Sequence, residues 1–165
     1  LQLVVLAATP GIHAVSKTAH VGDSELWHST SVGKAILSQA DPDFVESVLR
    51  NLKFPQLTPH TIVSVDQLRQ DLEKSRERGF AIDDEESELG LRCVGVALRS
   101  WTHLYTYAIS VSGPTYRMPR ERTAAVAEQL RKCAREIEAK LGIKDAHDVK
   151  EPTNIDLSSA PSPEQ

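Results

Sequence analysis

The chain holds 165 residues, 40% apolar and 25% charged, with a formal net charge of −4. That length fits one domain, or one domain with a tail, and the balance excludes wholesale disorder, collagen-like repeats and coiled-coil arrays. The longest apolar run, Leu3-Val4-Val5-Leu6-Ala7-Ala8, falls far short of the ~20 residues that cross a bilayer, and no charged leader precedes it, so no membrane partner is expected.

In chain order, residues 2–8 and 12–18 read as two strands turned at Pro10-Gly11. Residues 21–24 are loop-like. A helix is expected from about Thr30 to Gln39, capped by Ser29 or Thr30, with Val32, Ala35 and Ile36 on one face. Asp41-Pro42 opens a second helix whose stripe is Val45, Val48, Leu49 and Leu52. Ser64-x-x-Gln67 is a capping-box pattern ahead of Leu68 and Leu72, and Gly79 stops that helix. A short strand at 80–83 and an acidic link follow. Residues 91–99 and 104–112 then read as a hairpin, broken by Gly113-Pro114. The last helix runs from about Pro119 to Leu141, with the stripe Val126, Leu130, Cys133, Ile137 and Leu141. Residues 1–142 form the expected domain, and 143–165 read as a flexible acidic tail with Pro and Ser. Consecutive hairpins among helices make the fold class α+β: one mainly antiparallel sheet with helices packed on it.

From residue 144 onward the tail carries two Lys against five acids, which leaves a body of 17 basic and 18 acidic residues. A near-neutral body lacks the electrostatic footprint of a nucleic-acid binder, so this piece is not expected to grip DNA itself. Cys93 and Cys133 stand 40 residues apart without C-x-x-C spacing. They point to buried thiols in a reducing, cytoplasmic compartment rather than a disulfide scaffold. The chain begins without Met inside an expected strand, and a fragment of a longer protein is expected.

The hairpin is the most informative feature. With a four-residue turn at Ser100–His103, Cys93 faces Ser110, Gly95 faces Ala108 and Ala97 faces Thr106. Period-2 alternation puts these residues and Ser112 on one small, weakly polar face. The opposite face carries Val94, Val96, Leu98, Tyr105, Tyr107, Ile109 and Val111. Small side chains leave space, which either a closely packed helix or a ligand fills. The segment Ser29-Thr30-Ser31-Val32-Gly33-Lys34 starts a helix, where unpaired N–H groups and the dipole suit a carboxylate, although an ordinary capped helix reads the same way. No P-loop pattern is present. Asp83-Asp84-Glu85-Glu86 reads as a solvated loop before it reads as a metal site, and the six histidines show no ligand spacing, so no metal or cofactor is expected. No serine lies in G-x-S-x-G, and nothing calls for an enzyme.

His28-Ser29-Thr30-Ser31-Val32-Gly33-Lys34-Ala35 resembles the H-A-[ST]-x-x-G-K-A segment of IclR-type bacterial transcription regulators. Thr58-x-x-Thr61-Ile62 follows. Then comes the run from Leu68, Leu72 and Arg76 through Gly79-Phe80-Ala81-x-Asp83-x-Glu85-Glu86 to Gly90-Leu91-x-Cys93. Ala108-Ile109-Ser110-Val111-Ser112-Gly113-Pro114 and Arg117 complete the ordered set. The resemblance implies the C-terminal effector-binding domain of such a regulator, GAF-like in fold, with a winged helix-turn-helix domain expected upstream. It implies binding of a small organic acid, a repressor or activator role, a homodimer or homotetramer, and DNA contact only through the missing domain. Carried over by motif, the effector-binding residues are Ser31, Val32, Asp83, Cys93, Ser110 and Ser112. The glyoxylate-responsive branch has Gly-Ala where this chain has Ser31-Val32. The added bulk, with Trp27 just upstream as a possible cover, points to a larger hydroxylated or aromatic acid. A hydrolase or transferase using Cys93 or a serine, and a GAF-like sensor with another output, are the alternatives. Turnover of the ligand and the residues upstream of Leu1 discriminate them.

Overall fold

The computed structural model describes residues 1–13, 19–99 and 105–143. Local chemistry sets the helix starts. Thr30 is extended and its Oγ1 accepts the Gly33 N–H at 3.2 Å, opening α1 (Ser31–Gln39). Asp41 caps the Asp43 amide and Pro42 takes the first turn of α2 (Pro42–Leu49). Ser64 accepts from Gln67 N–H at the start of α3 (Val65–Arg78), while the Gln67 side chain accepts from Val63 N–H rather than from the cap's own amide. Gly79 ends that helix in the left-handed conformation at φ +76°, which a side chain would strain.

Two strands precede α1: β1 (Leu3–Val4) pairs antiparallel with β2 (Ser24–Glu25). The expected hairpin of 2–8 with 12–18 is corrected here. The partner of Leu3–Val4 is non-local, residues 12 and 13 form a bend, and 14–18 lie outside the described residues. The main sheet orders β3 (Ala81–Asp84), β4 (Leu91–Arg99) and β5 (Tyr105–Pro114), all antiparallel. Gly113-Pro114 does not break β5; these two residues close the ladder opposite Arg92 and Leu91. A 3-10 turn at Arg120–Arg122 leads into α4 (Thr123–Lys140).

The hairpin register differs from the four-residue-turn expectation by two. Cys93 faces Ser112, Gly95 faces Ser110 and Ala97 faces Ala108. Because the shift is even, every residue keeps its expected face. A bulge between Leu98 and Arg99 then absorbs one residue before Tyr105; residues 100–104, including the expected turn, lie outside the described residues.

Helices cover both faces of the sheet. On one side α1 packs over the small residues, backed by α2 and α3 through Ile36, Leu37, Val48, Leu49, Leu68 and Leu72. Fully burying each such side chain contributes about 1.5–3 kcal/mol. On the other side α4 packs on Val94, Val96 and Leu98. Its buried stripe is Thr123, Ala127, Leu130, Ala134 and Glu138, a correction to the expected one. Cys133, Ile137 and Leu141 face outward. Alanines 127 and 134 let the helix axis come close to the bulky β4 side chains, so the larger apolar residues turn away. The architecture is α+β, and among the described residues no helix is long and apolar enough to cross a membrane.

Candidate functional site

Three strands bring three of the predicted residues into one transverse row. Asp83 on β3 faces Cys93 on β4, which faces Ser112 on β5. The adjacent row runs Ala81, Gly95, Ser110. Directly facing residues of an antiparallel pair share a face, so all of these project to the α1 side. The first turn of α1 sits on the second row. A Cβ built on Gly95 would lie 2.5 Å from the Ser31 carbonyl oxygen and 3.1 Å from the Ser31 Cβ. Above Gly95, therefore, the small-residue space is filled by the helix start itself, and the missing side chain sets how close α1 comes.

This approach seats the first turn of α1, through the Ser31 carbonyl and Cβ, on the row that holds Gly95 and Ser110. Helix geometry leaves the Ser31 and Val32 N–H groups without an intrahelical acceptor, whereas Thr30 takes that of Gly33. The positive end of the helix dipole lies at the same place. Burial is graded across the row: Asp83 and Cys93 are buried, Ser112 is half-buried and Ser110 is exposed. Ser31 is buried and Val32 half-buried. The face thus opens toward β5.

The Asp83 carboxylate has its own partners. Oδ1 accepts the amides of Glu86 at 2.9 Å and Ser87 at 3.2 Å, and Oδ2 accepts the Ser87 hydroxyl. These three donors fold the loop after β3 back on the strand end. Thr58 and Thr61 fix the same loop from outside: their hydroxyls donate to the Glu85 carbonyl at 2.6 Å and the Glu86 carbonyl at 2.7 Å. Asp83 therefore shapes the site through the loop it holds.

A buried ionic cluster ties that loop to α1. Lys34 Nζ lies 2.5 Å from Glu86 Oε1 and 3.1 Å from Asp71 Oδ2 on α3. Burial pushes the Glu86 carboxyl up to about 7, and the neighbouring Lys34 ammonium opposes that rise. Just upstream, burial holds His28 below its usual value. A neutral His28 donating from Nε2 to the Pro55 carbonyl, at 3.2 Å, leaves Nδ1 as an acceptor with no partner. The buried Ser29 hydroxyl likewise has none among the described residues.

The structure brings Ser31, Asp83, Cys93, Ser110 and Ser112 to one face, with Val32 next along the helix. Trp27 does not cover that face. It is buried among the α1 and α2 side chains, 6.1 Å edge-on to Phe44. Lys34, Glu86, Thr58 and Thr61 belong to the motifs quoted above, but sequence reasoning assigned them no role. The available signal was a lysine inside the otherwise apolar run Val32 to Leu37.

Comparison with known proteins follows the same lines. The family model for "Bacterial transcriptional regulator IclR C-terminal" matches residues 4–139. The HTH-type transcriptional repressor AllR of Escherichia coli K12 is 34% identical over 130 residues, 79% of this chain and 48% of AllR. The chain thus spans about half the length of this curated relative. The crystal structure of Thermotoga maritima IclR superposes with a TM-score of 0.75 at 31% identity, over 80% of this chain and 53% of that one. The inducer-binding domain of Acinetobacter PobR, solved as a double mutant with 3-hydroxybenzoic acid, gives 0.65 at 28% identity, over 76% of this chain and 73% of that one.

Proposed function

Given that this chain belongs to the family of IclR-type C-terminal domains, we propose that it is the ligand-sensing half of a cytoplasmic transcription regulator and binds a small organic acid on the α1 face of its sheet. The observation that carries this reading is the seating of Ser31 on Gly95. It supports a site in which the two helix-start amides act together with Cys93, Ser110 and Ser112. A carboxylate is held by N–H and O–H donors of this kind, with the helix dipole in its favour. Asp83 keeps the loop beside the row in place. Ser31, Val32, Asp83, Cys93, Ser110 and Ser112 make up the proposed site.

DNA contact is assigned to a winged helix-turn-helix domain upstream of Leu1. The whole regulator works as a dimer or tetramer, whose arrangement the acid biases by about 1–3 kcal/mol. The acid leaves unchanged, as a sensor's ligand does. PobR's domain holds 3-hydroxybenzoic acid, and this supports a hydroxylated or aromatic acid here too. The test is a thermal-shift screen of this chain against small carboxylic acids. A ligand at a hundred times its Kd adds about 2.7 kcal/mol of stability. An acid that stabilises the chain and is recovered intact upholds the reading; conversion of the acid, or no stabilisation by any acid, overturns it.

A further inference from the structure

A different part of the molecule carries a second site. Strand β3 begins opposite Gly95, so β4 runs on past it from Val96 to Arg99 with no strand on that side among the described residues. The notch is a cavity of about 250 Å³, floored by Val96 and Ala97 and walled by the ends of α1 and α3 and by α4. Four arginines line it, Arg76, Arg99, Arg131 and Arg135, against one acid, Glu138. They come from three separate elements.

The one carboxylate in the lining is already engaged. Glu138 accepts the Arg99 backbone N–H at 2.7 Å and its guanidinium at 3.1 Å. The other three arginines are anchored at one edge. Arg76 Nε donates to the Ser38 carbonyl at 2.8 Å, and its Nη1 lies 3.8 Å from Glu73. Arg131 lies over the Phe80 ring, donates to the Arg78 carbonyl at 3.4 Å and is held by Glu128. Arg135 stands 3.9 Å from the same Glu128, on the rim. The guanidiniums of Arg76, Arg131 and Arg135 have five N–H donors each, and these contacts use only some of them. Glu73, Glu128 and Glu138 each pair with one edge of these guanidiniums, so four cations meet three carboxylates and the hollow stays net positive, which favours a bound anion.

We propose that this notch binds a small polyanion, a phosphate ester or polycarboxylate with two or more negative charges, as a second ligand site separate from the α1 face. Planar guanidinium forks pair bidentately with such oxyanion groups. Contacts with α1, α3, β4 and α4 let the ligand report to the elements that frame the first site.

The experiment is calorimetric titration of pyrophosphate, citrate and acetate into the whole chain at physiological salt. It is repeated on the R76Q/R135Q double variant and on Ser110→Ala. Arg76 and Arg135 side chains are 51% and 58% exposed, and an unchanged thermal midpoint checks that the double variant folds. The expected result is saturable binding of pyrophosphate or citrate in the low millimolar range or tighter, weakened at least about tenfold in the double variant, with acetate inactive and Ser110→Ala without effect. Binding of pyrophosphate alone assigns a phosphate ligand, and binding of citrate alone a polycarboxylate. No binding of either, equal binding by the double variant, equal binding of acetate, or loss in Ser110→Ala overturns the proposal. The last outcome moves the anion to the α1 face. Failure here leaves the acid screen of the first site untouched.

Discussion

Lys34 on α1 and Glu86 in the loop after β3, 52 residues apart in sequence, meet at 2.5 Å, and the lysine side chain is wholly out of water. Asp71 on α3 completes the cluster. The start of α1, the loop held by Asp83 and the flank of α3 are thereby fixed to one ammonium group.

Replacing Lys34 by Met leaves the Glu86 and Asp71 carboxylates without their counter-charge in a buried place. Breaking such a cluster from one side costs about 3–5 kcal/mol. Urea unfolding above neutral pH is expected to show that loss in the midpoint at an unchanged slope. A Lys34→Met chain as stable as the parent would show that the cluster holds nothing together.

Glu86 also gives stability a pH dependence. Its carboxyl is raised from 4.5 to about 7 in the folded chain, so between these values the folded state binds the extra proton, and stability falls as pH rises. His28 works the other way below 6.5, because burial lowers its value and the unfolded state then holds the proton. The two opposing slopes overlap around 6.5 to 7, because the unfolded His28 is still half protonated at 6.5, so the comparison of parent with Glu86→Gln isolates Glu86. Between about 5 and 7 the parent is expected to lose up to about 1 kcal/mol per pH unit relative to Glu86→Gln. Unfolding curves of both chains across this range measure the difference directly; parallel pH profiles would contradict the assignment to Glu86.

Gly95→Ala pushes a methyl to within 2.5 Å of the Ser31 carbonyl oxygen. Backbone must move, so α1 lifts from the sheet at a cost of about 1–3 kcal/mol. Acid binding is expected to weaken with it, because the helix-start amides leave the row. Denaturation and calorimetry on the same variant test both halves; a destabilised chain with wild-type affinity would detach the amides from the ligand.

Ser110→Ala and Ser112→Ala each remove one hydroxyl from the open end of the row. A hydrogen bond to a charged group contributes about 1.5–3 kcal/mol, so each is expected to weaken acid binding at least tenfold. Ser110 is exposed, and its loss is expected to leave the thermal midpoint in place. Wild-type affinity in both variants would remove the serines from the site.

Ser31 and Val32 set the size of the acid. Ser31→Gly with Val32→Ala clears bulk at the helix start, and the double variant is expected to gain affinity for glyoxylate and lose preference for hydroxylated or aromatic acids. Competition titration of both chains decides it. Tight glyoxylate binding by the parent, with no gain in the variant, would show that these side chains do not crowd the ligand.

Sequence reasoning reads best what is settled locally. The caps at Thr30, Asp41 and Ser64 and the stop at Gly79 stand where their own hydrogen bonds or backbone freedom put them. The faces of β4 and β5 were legible because alternation survives an even error in register. The register itself depends on turn length, which composition does not give. Periodicity found α4 and put Val126 and Leu130 on the core side, but it missed Ala127 and Ala134, which match the bulky sheet better than Ile137 and Leu141 do. The pairing of Leu3–Val4 with Ser24–Glu25 and the Lys34–Glu86 contact rest on long-range placement that no local pattern encodes. For the candidate site, the motif named the residues; the seating of the helix on Gly95 came only from the fold.

The bulge at Leu98/Arg99 turns the connection between β4 and β5 into a stepped adjuster. An insertion of one residue there either flips every β5 hydroxyl to the α4 side or has to be absorbed by another bulge. An insertion of two keeps the faces and slides Ser110 and Ser112 by about 7 Å past a stationary helix start. Relatives of this domain can therefore re-space their donors for acids of different length by changing the number of residues between β4 and β5 in pairs, with the core and the helix caps left alone.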